Sequence, residues 1–319
     1  MKLFIASILS LCLYSQVYAK CGQLQSFGLL NEVLLIKDLS ILSSVDMAGR
    51  KTGSVGNFKA KTFIQSRFQE VGLTHFTEYP EYIQKFAYPK PSSGSQGINI
   101  VGWVKGGNFA HQFIVVTAHY DHLGATARHV YYGADDNASG VAALLAIAEK
   151  VTEVDLSHSV IFLATDAEEK GLHGAKAFVS HLPIDKHAIT LNINLDMLGE
   201  GGRRNRLYAT FSRGKKQLFH LVNNVAEISG LCLLVDHRKS QRFNRFGKHV
   251  NWRKASDHAA FSKVGIPYLF LGGGIHKRYH TPKDSFENIN QRFFLSAAET
   301  AWLILQAADK GIIPIHPNN

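Results

Sequence analysis

The chain has 319 residues, of which 45% are hydrophobic and 19% charged, and its formal net charge is +10. About 300 residues remain beyond an N-terminal leader, enough for one large α/β domain or two smaller ones. No repeats or low-complexity tracts appear, which excludes a repeat protein, and no apolar run approaches the roughly 18 residues of a membrane span.

The N-terminus has the parts of a signal peptide. A basic residue precedes the apolar run Leu3–Leu13, and Val17–Ala19 resembles a cleavage site. The apolar run is too short to cross a membrane. Because Lys20 directly precedes Cys21, a lipid anchor is not expected. We therefore predict that residues 1–19 are removed and that the protein is exported to the periplasm or the medium.

Strand and helix patterns then alternate along the chain, and no linker divides them, since the stretch Pro91–Gly97 is short enough for a surface loop. This alternation predicts a single α/β domain over residues 20–319, a three-layer α/β/α sandwich around a mixed, mostly parallel sheet. The predicted elements are a helix near Phe58–Val71, strand Phe113–His119, a helix from Ala138, strand Ser159–Thr165, a helix near Gly174–Leu182, strands Ala188–Asp196 and Arg206–Phe211, helix Lys215–Ile228, strands Leu231–Val235 and Tyr268–Leu271, and helix Gln291–Ala308.

The first predicted strand of the sheet ends in a possible metal ligand. Phe113–His119 is apolar and β-branched, which is typical of a buried strand, and it brings His119 to the edge where α/β sheets build their sites. Asp121 lies two residues further on and shares a face with His119 in extended chain. We interpret His119 as a zinc ligand and the Asp121 carboxylate as the group that orients its ring.

An acidic loop precedes the next helix. It reads Gly133–Gly140, and Ser139 or Asn137 could cap the helix that follows. Asp136 is interpreted as a carboxylate that bridges two metals, because each of its oxygens can face one ion. Asp135 is a close rival for that role.

Three later segments supply further candidates. Glu168 and Glu169 follow strand Ser159–Thr165, and neighbouring residues in extended chain point in different directions. We therefore assign Glu169 as a metal ligand and Glu168 as the general base. Asp196 follows the third strand, and His280 lies in a polar turn.

The charges of these candidates suit two zinc ions. Asp136, Glu169 and Asp196 would cancel three of the four positive charges, and a bridging hydroxide would cancel the fourth. A helix-based H-E-x-x-H zinc site is absent from the sequence.

The other histidines, the basic segment and the cysteines are not assigned to the metal site. The chain has 16 histidines, so most are not ligands. Segment Arg238–Lys254 is basic and aromatic, but a solvated loop is preferred to nucleic-acid binding. Cys21 and Cys232 could pair after export. The histidines expected on the surface or behind the ligands are His111, His122, His129, His181 and His258.

Six motifs of the sequence occur together in one chain order. They are AHYDH (Ala118–His122), GADDNASG (Gly133–Gly140), ATDAEEKGLHGA (Ala164–Ala175), NLDMLG (Asn194–Gly199), SDHAAF (Ser256–Phe261) and YHTPKD (Tyr279–Asp284). Together they resemble the secreted di-zinc aminopeptidases of peptidase clan MH, the bacterial leucyl aminopeptidase and aminopeptidase Y group. Leu42–Asn57 also resembles the N-terminal part of that group, and the similarity runs from about residue 30 to about residue 310.

The resemblance implies a zinc-exopeptidase fold and a division of the ligands. One zinc would be held by His119, Asp196 and the shared Asp136, and the other by Glu169, His280 and Asp136. It also implies a cis peptide bond after the bridging aspartate, between Asp136 and Asn137. Asp257 matches a recurrent family position, but its role is left unassigned.

The predicted function is removal of N-terminal residues from peptides that have a free amine, by a monomeric enzyme. The amine would be bound by Asp135 or Glu168. One alternative is a carboxypeptidase or dipeptidase, for which Arg203, Arg204 or the Arg238–Lys254 segment could bind a carboxylate. Another is a glutaminyl cyclase, which the two-metal ligand set disfavours. A non-catalytic binding protein is the remote alternative, since no predicted ligand is missing.

Overall fold

The computed structural model describes residues 23–88, 96–236 and 250–311. The predicted signal peptide, Cys21 and most of the basic segment Arg238–Lys254 lie outside these ranges. Within them, no helix combines the length and the apolar character needed to cross a membrane.

The described residues form seven α-helices and ten β-strands, with short 3-10 turns and one π-helical turn, Ala134–Ser139, between them. The helices are α1 (Glu32–Leu42), α2 (Val55–Glu70), α3 (Gly140–Thr152), α4 (His173–Ser180), α5 (Lys216–Ile228), α6 (His258–Lys263) and α7 (Gln291–Gly311). The strands are β1 (Ile83–Ala87), β2 (Gln96–Val104), β3 (Phe109–His119), β4 (Gly124–Ala125), β5 (Val130–Tyr131), β6 (His158–Thr165), β7 (Ile189–Leu195), β8 (Arg206–Phe211), β9 (Cys232–Val235) and β10 (Tyr268–Gly272).

Eight of the strands form one mixed sheet in the order β1-β2-β6-β3-β7-β10-β8-β9. Its centre is parallel, since β6, β3, β7 and β10 all run in the same direction. β1 and β2 add an antiparallel edge, and β8 lies antiparallel to β10. The remaining strands, β4 and β5, form a small separate hairpin.

Helices cover both faces of the sheet, which confirms the predicted three-layer α/β fold. Along β3, Ile114 and Val116 pack into one apolar cluster with α1, α2, α3, α5 and α7, whereas Val115 packs into another with α4 and α6. Alternate residues of a strand point to opposite faces. A continuous apolar run is therefore what a central strand of this sheet requires.

The sequence did not predict the antiparallel edge formed by β1 and β2, nor helix α1. Gln96 and Gly97, which were expected in a surface loop, are the first residues of β2. Glycines weaken the strand signal in the sequence, yet Gly102 suits β2 because a Cβ there would lie 2.9 Å from side-chain atoms of Leu73 and Phe68. Tertiary packing therefore selects a strand where the local pattern is weak.

Candidate metal centre

The candidate site lies where three neighbouring parallel strands end. β6, β3 and β7 terminate at Thr165, His119 and Leu195, and the acidic residues follow directly after β6 and β7. Because the carboxyl ends of parallel strands meet at one edge of the sheet, these side chains converge from distant parts of the sequence.

The acidic loop before α3 is held from two sides. The carboxylate of Asp284 accepts hydrogen bonds from the amides of Asp135, at 2.8 Å, and Asp136, at 3.0 Å. The Asn137 side chain donates to the Leu195 carbonyl at 2.9 Å and accepts from the amide of Gly140, the first residue of α3, at 3.0 Å. Of the two capping candidates, Asn137 thus bonds to the first amide of α3, whereas Ser139 occupies the N-cap position without a capping hydrogen bond from its side chain. The Asp136–Asn137 peptide bond is cis, as the resemblance implied.

Asp136 stands between two groups of candidate ligands. Its Oδ1 lies 3.4 Å from Nε2 of His119, which in turn lies 3.5 Å from Oδ1 of Asp196. Its Oδ2 lies 3.0 Å from Nε2 of His280, which lies 3.2 Å from Oε1 of Glu169. The structure therefore brings together all five residues that the sequence proposed as metal ligands, with Asp136 common to both groups.

His122 joins the second group, although the sequence gave it no ligand role. Its side chain is fully buried, and its Nδ1 lies 3.0 Å from Oε1 of Glu169 and 3.8 Å from Oδ2 of Asp136. The only signal in the sequence for a role in the site is that His122 directly follows Asp121, just after β3. That strand lies between β6 and β7, which lead into acidic residues.

Asp135, the rival bridging residue, faces away from both groups. Its Oδ1 accepts from the Gly199 amide at 2.6 Å, and its Oδ2 lies 2.9 Å from Nε2 of His276. The side chain is completely buried. Its oxygens are occupied by these partners, so the idea that Asp135 binds a substrate amine is wrong.

Asp121 does not orient His119 in the way expected. Nδ1 of His119 lies 3.1 Å from the backbone carbonyl of Asp121 but 3.8 Å from the carboxylate, which is beyond hydrogen-bonding distance. The carboxylate instead accepts from the Glu168 amide at 2.9 Å and from the Thr52 hydroxyl at 3.1 Å. These two donors come from distant segments, so the local spacing of His119 and Asp121 could not reveal them.

Glu168, the proposed base, lies in a strongly acidic environment. Burial raises the pKa of its carboxyl well above the usual range, and the charges of Glu169, Asp257 and Asp196 raise it further, against the opposing effect of His119. A carboxyl with a raised pKa can hold a proton near neutral pH. Asp257, unassigned from the sequence, is completely buried and accepts a hydrogen bond from Thr165.

Arg50 fixes the loops that carry the ligands. Its guanidinium is fully buried and donates to the carbonyls of Tyr120 at 2.8 Å, Tyr132 at 2.7 Å, Gly133 at 2.8 Å, and Leu42. Burial lowers its pKa to about 10, and nearby carboxylates oppose that shift. This one cation therefore connects the segment after β3 with the acidic loop.

The charges in the site suit a divalent cation. Burial would lower the pKa of His280, but its hydrogen bonds to Asp136 and Glu169 outweigh this and raise the pKa to about 10. Carboxylates that hold a proton so strongly on an imidazole also attract a metal ion, which displaces that proton on binding. Imidazole and carboxylate are ligands that zinc prefers. The residues present therefore fit the metal that the sequence predicted.

The remaining expectations are mixed. Among the histidines expected on the surface or behind the ligands, His111, His129 and His181 are exposed and His258 is completely buried. Cys232 is buried and disulfide-bonded, but its pairing with Cys21 stays a prediction, because Cys21 lies outside the described residues.

Comparisons with known proteins identify the family of the chain. The profile described as Peptidase family M28 matches residues 99–305. Aminopeptidase YwaD of Bacillus subtilis (strain 168) is 30% identical over 210 residues, which are 63% of this chain and 42% of that protein. This chain thus spans less than half the length of that curated relative.

Solved structures share the fold. The zinc aminopeptidase BSAP from Bacillus subtilis superposes with a TM-score of 0.71 at 18% identity, covering 86% of this chain and 94% of that one. A glutaminyl cyclase from Porphyromonas gingivalis gives a TM-score of 0.65 at 19% identity and covers 88% and 99% of the two chains. At such low identity these matches establish the architecture alone.

Proposed function

The chain belongs to peptidase family M28, and from that premise we propose that it is a zinc-dependent aminopeptidase, which hydrolyses the bond after the N-terminal residue of a peptide. The observation that carries the proposal is the position of Asp136. One of its oxygens faces His119 and the other faces His280. This arrangement suits a carboxylate that bridges two zinc ions, with Asp196 and Glu169 completing the two groups.

Zinc bound here would polarise the scissile carbonyl and lower the pKa of a bound water. The protein's own contribution to proton transfer is assigned to Glu168. Its amide is anchored on Asp121, and its carboxyl has a raised pKa because it is buried among other acids. Glu168 therefore takes the proton from the attacking water and passes it to the leaving amine.

Recognition of the free N-terminal amine follows from the same charges. Since Asp135 is occupied by internal hydrogen bonds, Glu168 is the remaining carboxylate of the two considered for this role. Because the ligand carboxylates are balanced by the two zinc ions, the ionised carboxylate of Glu168 would attract a protonated amine. Acetylation of the substrate removes that charge, which makes it a sharp test of exopeptidase action.

Two alternatives use the same fold. A carboxypeptidase needs a cation for the substrate carboxylate, and Arg203 and Arg204 are exposed on a short turn after β7. A glutaminyl cyclase is the other alternative, in keeping with the fold shared with that enzyme, but that reaction would leave the second ligand group without a role.

We also propose that residues 1–19 direct export of the chain.

The test is cleavage of a leucyl chromogenic amide with a free amine, beside its N-acetylated counterpart. We expect activity on the free amine only, lost on chelation and restored by zinc. If neither substrate is cut by protein that contains zinc, the aminopeptidase proposal is wrong. C-terminal substrates and peptides with N-terminal glutamine then decide between the two alternatives.

Two variants make the test specific to the site. Glu168→Gln removes the base while preserving shape, so turnover should fall at least about a hundredfold with the zinc content unchanged. The matched control is Glu153→Gln, because Glu153 is an exposed residue at the end of α3. Equal activity of both variants would remove Glu168 from the proposed reaction.

A further inference from the structure

His122 has no assigned role, yet the structure places it against the second ligand group. It follows β3 by three residues, and its side chain is fully buried. One ligand atom from each of His122, Asp136, Glu169 and His280 lies within 4.8 Å of the others. The group therefore holds two imidazoles and two carboxylates, one imidazole more than the sequence predicted.

The spacing of these atoms matches that of metal ligands. Zinc bonds of about 2.0–2.2 Å place two ligand atoms of a tetrahedral site about 3.3–3.6 Å apart. His280 lies 3.0 and 3.2 Å from its two carboxylate neighbours, and His122 lies 3.0 and 3.8 Å from the same two oxygens. A hydrogen bond explains the contact of His122 with Glu169, but it does not explain why the same nitrogen also faces Asp136.

We propose that His122 is a direct ligand, through Nδ1, of the metal held by Asp136, Glu169 and His280. The inference rests on the proposed metal site. It goes beyond the ligand set implied by the resemblance, which includes no residue at this position.

The fold holds the His122 ring in place. The His122 amide donates to the Arg50 carbonyl at 3.2 Å. A Cβ at Gly133 would lie 2.6 Å from both Cγ and Cδ2 of the ring, so only glycine leaves room for it. The ring also meets His280 edge to face, with centroids 5.6 Å apart. The direction of Nδ1 is therefore set before any metal binds, which lowers the entropic cost of coordination.

The two metal positions then differ in kind. His119, Asp136 and Asp196 offer one imidazole and two carboxylates, a set of three that is typical of an open, catalytic zinc site. The group with His122 offers four protein ligands, which is typical of a closed site. The position with His122 should retain its ion more strongly, and the other should lose its ion first and accept a wider range of divalent metals.

The decisive variant is His122→Asn. The amide nitrogen of asparagine can replace Nδ1 as a hydrogen-bond donor to Glu169, but it is a poor zinc ligand. The matched control is His187→Asn, because His187 is exposed on the turn before β7. Zinc per chain is measured after equilibration against a competing chelator, and the visible spectrum of the cobalt-substituted protein reports the ligands.

We expect wild type and His187→Asn to release their two metals in two separate steps. In His122→Asn the tighter step should weaken more than about a hundredfold, beyond the range typical of lost supporting contacts, with a changed cobalt spectrum. If His122→Asn keeps wild-type affinity in both steps, His122 only donates a hydrogen bond to Glu169 and the inference is wrong.

A second measurement does not depend on the variant. In a crystal structure of the zinc-loaded wild-type protein, Nδ1 of His122 should lie about 2.0–2.1 Å from one zinc. A separation beyond about 3 Å overturns the inference even when two zinc ions are bound and the free-amine substrate is cut. In that case the proposed function would hold, and only the inference about His122 would fail.

Discussion

His258 allows a quantitative prediction about the pH dependence of stability. Its ring lies at the start of α6 between Tyr268 and Phe270, with centroids 4.7 and 4.6 Å away. Its Nε2 lies 3.0 Å from the Trp252 carbonyl. Burial lowers its pKa from 6.5 to about 4, although hydrogen bonding to the backbone opposes the shift. The folded protein therefore keeps this histidine neutral, whereas the unfolded chain protonates it in mildly acidic solution.

The size of the effect follows from the two pKa values. One pKa unit corresponds to about 1.36 kcal/mol, so the shift from 6.5 to about 4 is worth about 3 kcal/mol. Because the pKa is lower in the folded protein, the contribution of His258 to the free energy of unfolding is fully present above pH 6.5. It is lost as the pH falls towards 4, since the unfolded chain then binds a proton that the folded protein does not. Between pH 7 and pH 5 this one residue should remove about 2 kcal/mol from the free energy of unfolding.

The assay compares urea unfolding of wild type and His258→Gln from pH 7.5 to 4.5, followed by tryptophan fluorescence. A chelator is present throughout, because protonation of metal ligands would otherwise add its own pH dependence. Glutamine keeps an N–H donor for Trp252 but does not titrate. The variant is expected to be less stable at pH 7.5, and the difference should shrink by about 2 kcal/mol towards pH 5.

The control is His187→Gln at an exposed site, which should follow the wild-type curve. Parallel curves for wild type and His258→Gln would refute the reasoning, because the buried imidazole would then titrate like one in water. His258→Phe, which retains an aromatic ring between Tyr268 and Phe270, repeats the comparison if the glutamine variant does not fold.

Three further predictions concern stability. Arg50→Met leaves buried carbonyls without donors, and urea unfolding should show a loss of about 3–5 kcal/mol; a loss below about 1 kcal/mol would contradict its proposed role. Burial opposes ionisation of Asp309, but the hydrogen bond from His158 outweighs it and lowers its pKa. In urea unfolding, Asp309→Asn should therefore destabilise by about 2 kcal/mol at neutral pH, and the difference should begin to shrink only as the pH falls below the ordinary aspartate pKa of about 4. Glu299 accepts from the amides of Phe27 and Leu29, so Glu299→Ala should speed proteolysis near these residues; unchanged cleavage would show that other contacts hold the segment.

The sequence predicts the strand ends of the site well, because central parallel strands need apolar residues on both faces. The predicted strand Arg206–Phe211 matches β8 at both ends, and strands β3, β6 and β7 were predicted within a few residues of their observed bounds. Strands β3, β6 and β7 each end at or beside a histidine or an acidic residue, whose type already suggests metal chemistry.

The finer contacts could not be predicted, since they depend on partners far along the chain. Asp121 is held by Thr52, 69 residues before it, and by the Glu168 amide, 47 residues after it. Nothing in the local sequence distinguishes Asp135 from Asp136. Their different orientations depend on the acidic loop, whose amides are held by the carboxylate of the distant Asp284. Burial of His122 is likewise a product of packing against Gly133, which a sequence pattern does not display.

Arg50 also bears on where the minimal folding unit of this protein begins. The family match starts at residue 99, but the guanidinium that joins the ligand-bearing loops comes from well before that point, as do Thr52 and Asn57, whose side chains bond to Asp166 at 3.0 and 3.1 Å. A fragment cut to residues 99–305 would keep every proposed metal ligand and lose the groups that position them. Expressed fragments, domain swaps and grafts of the proposed site should therefore carry the chain from α1 onward.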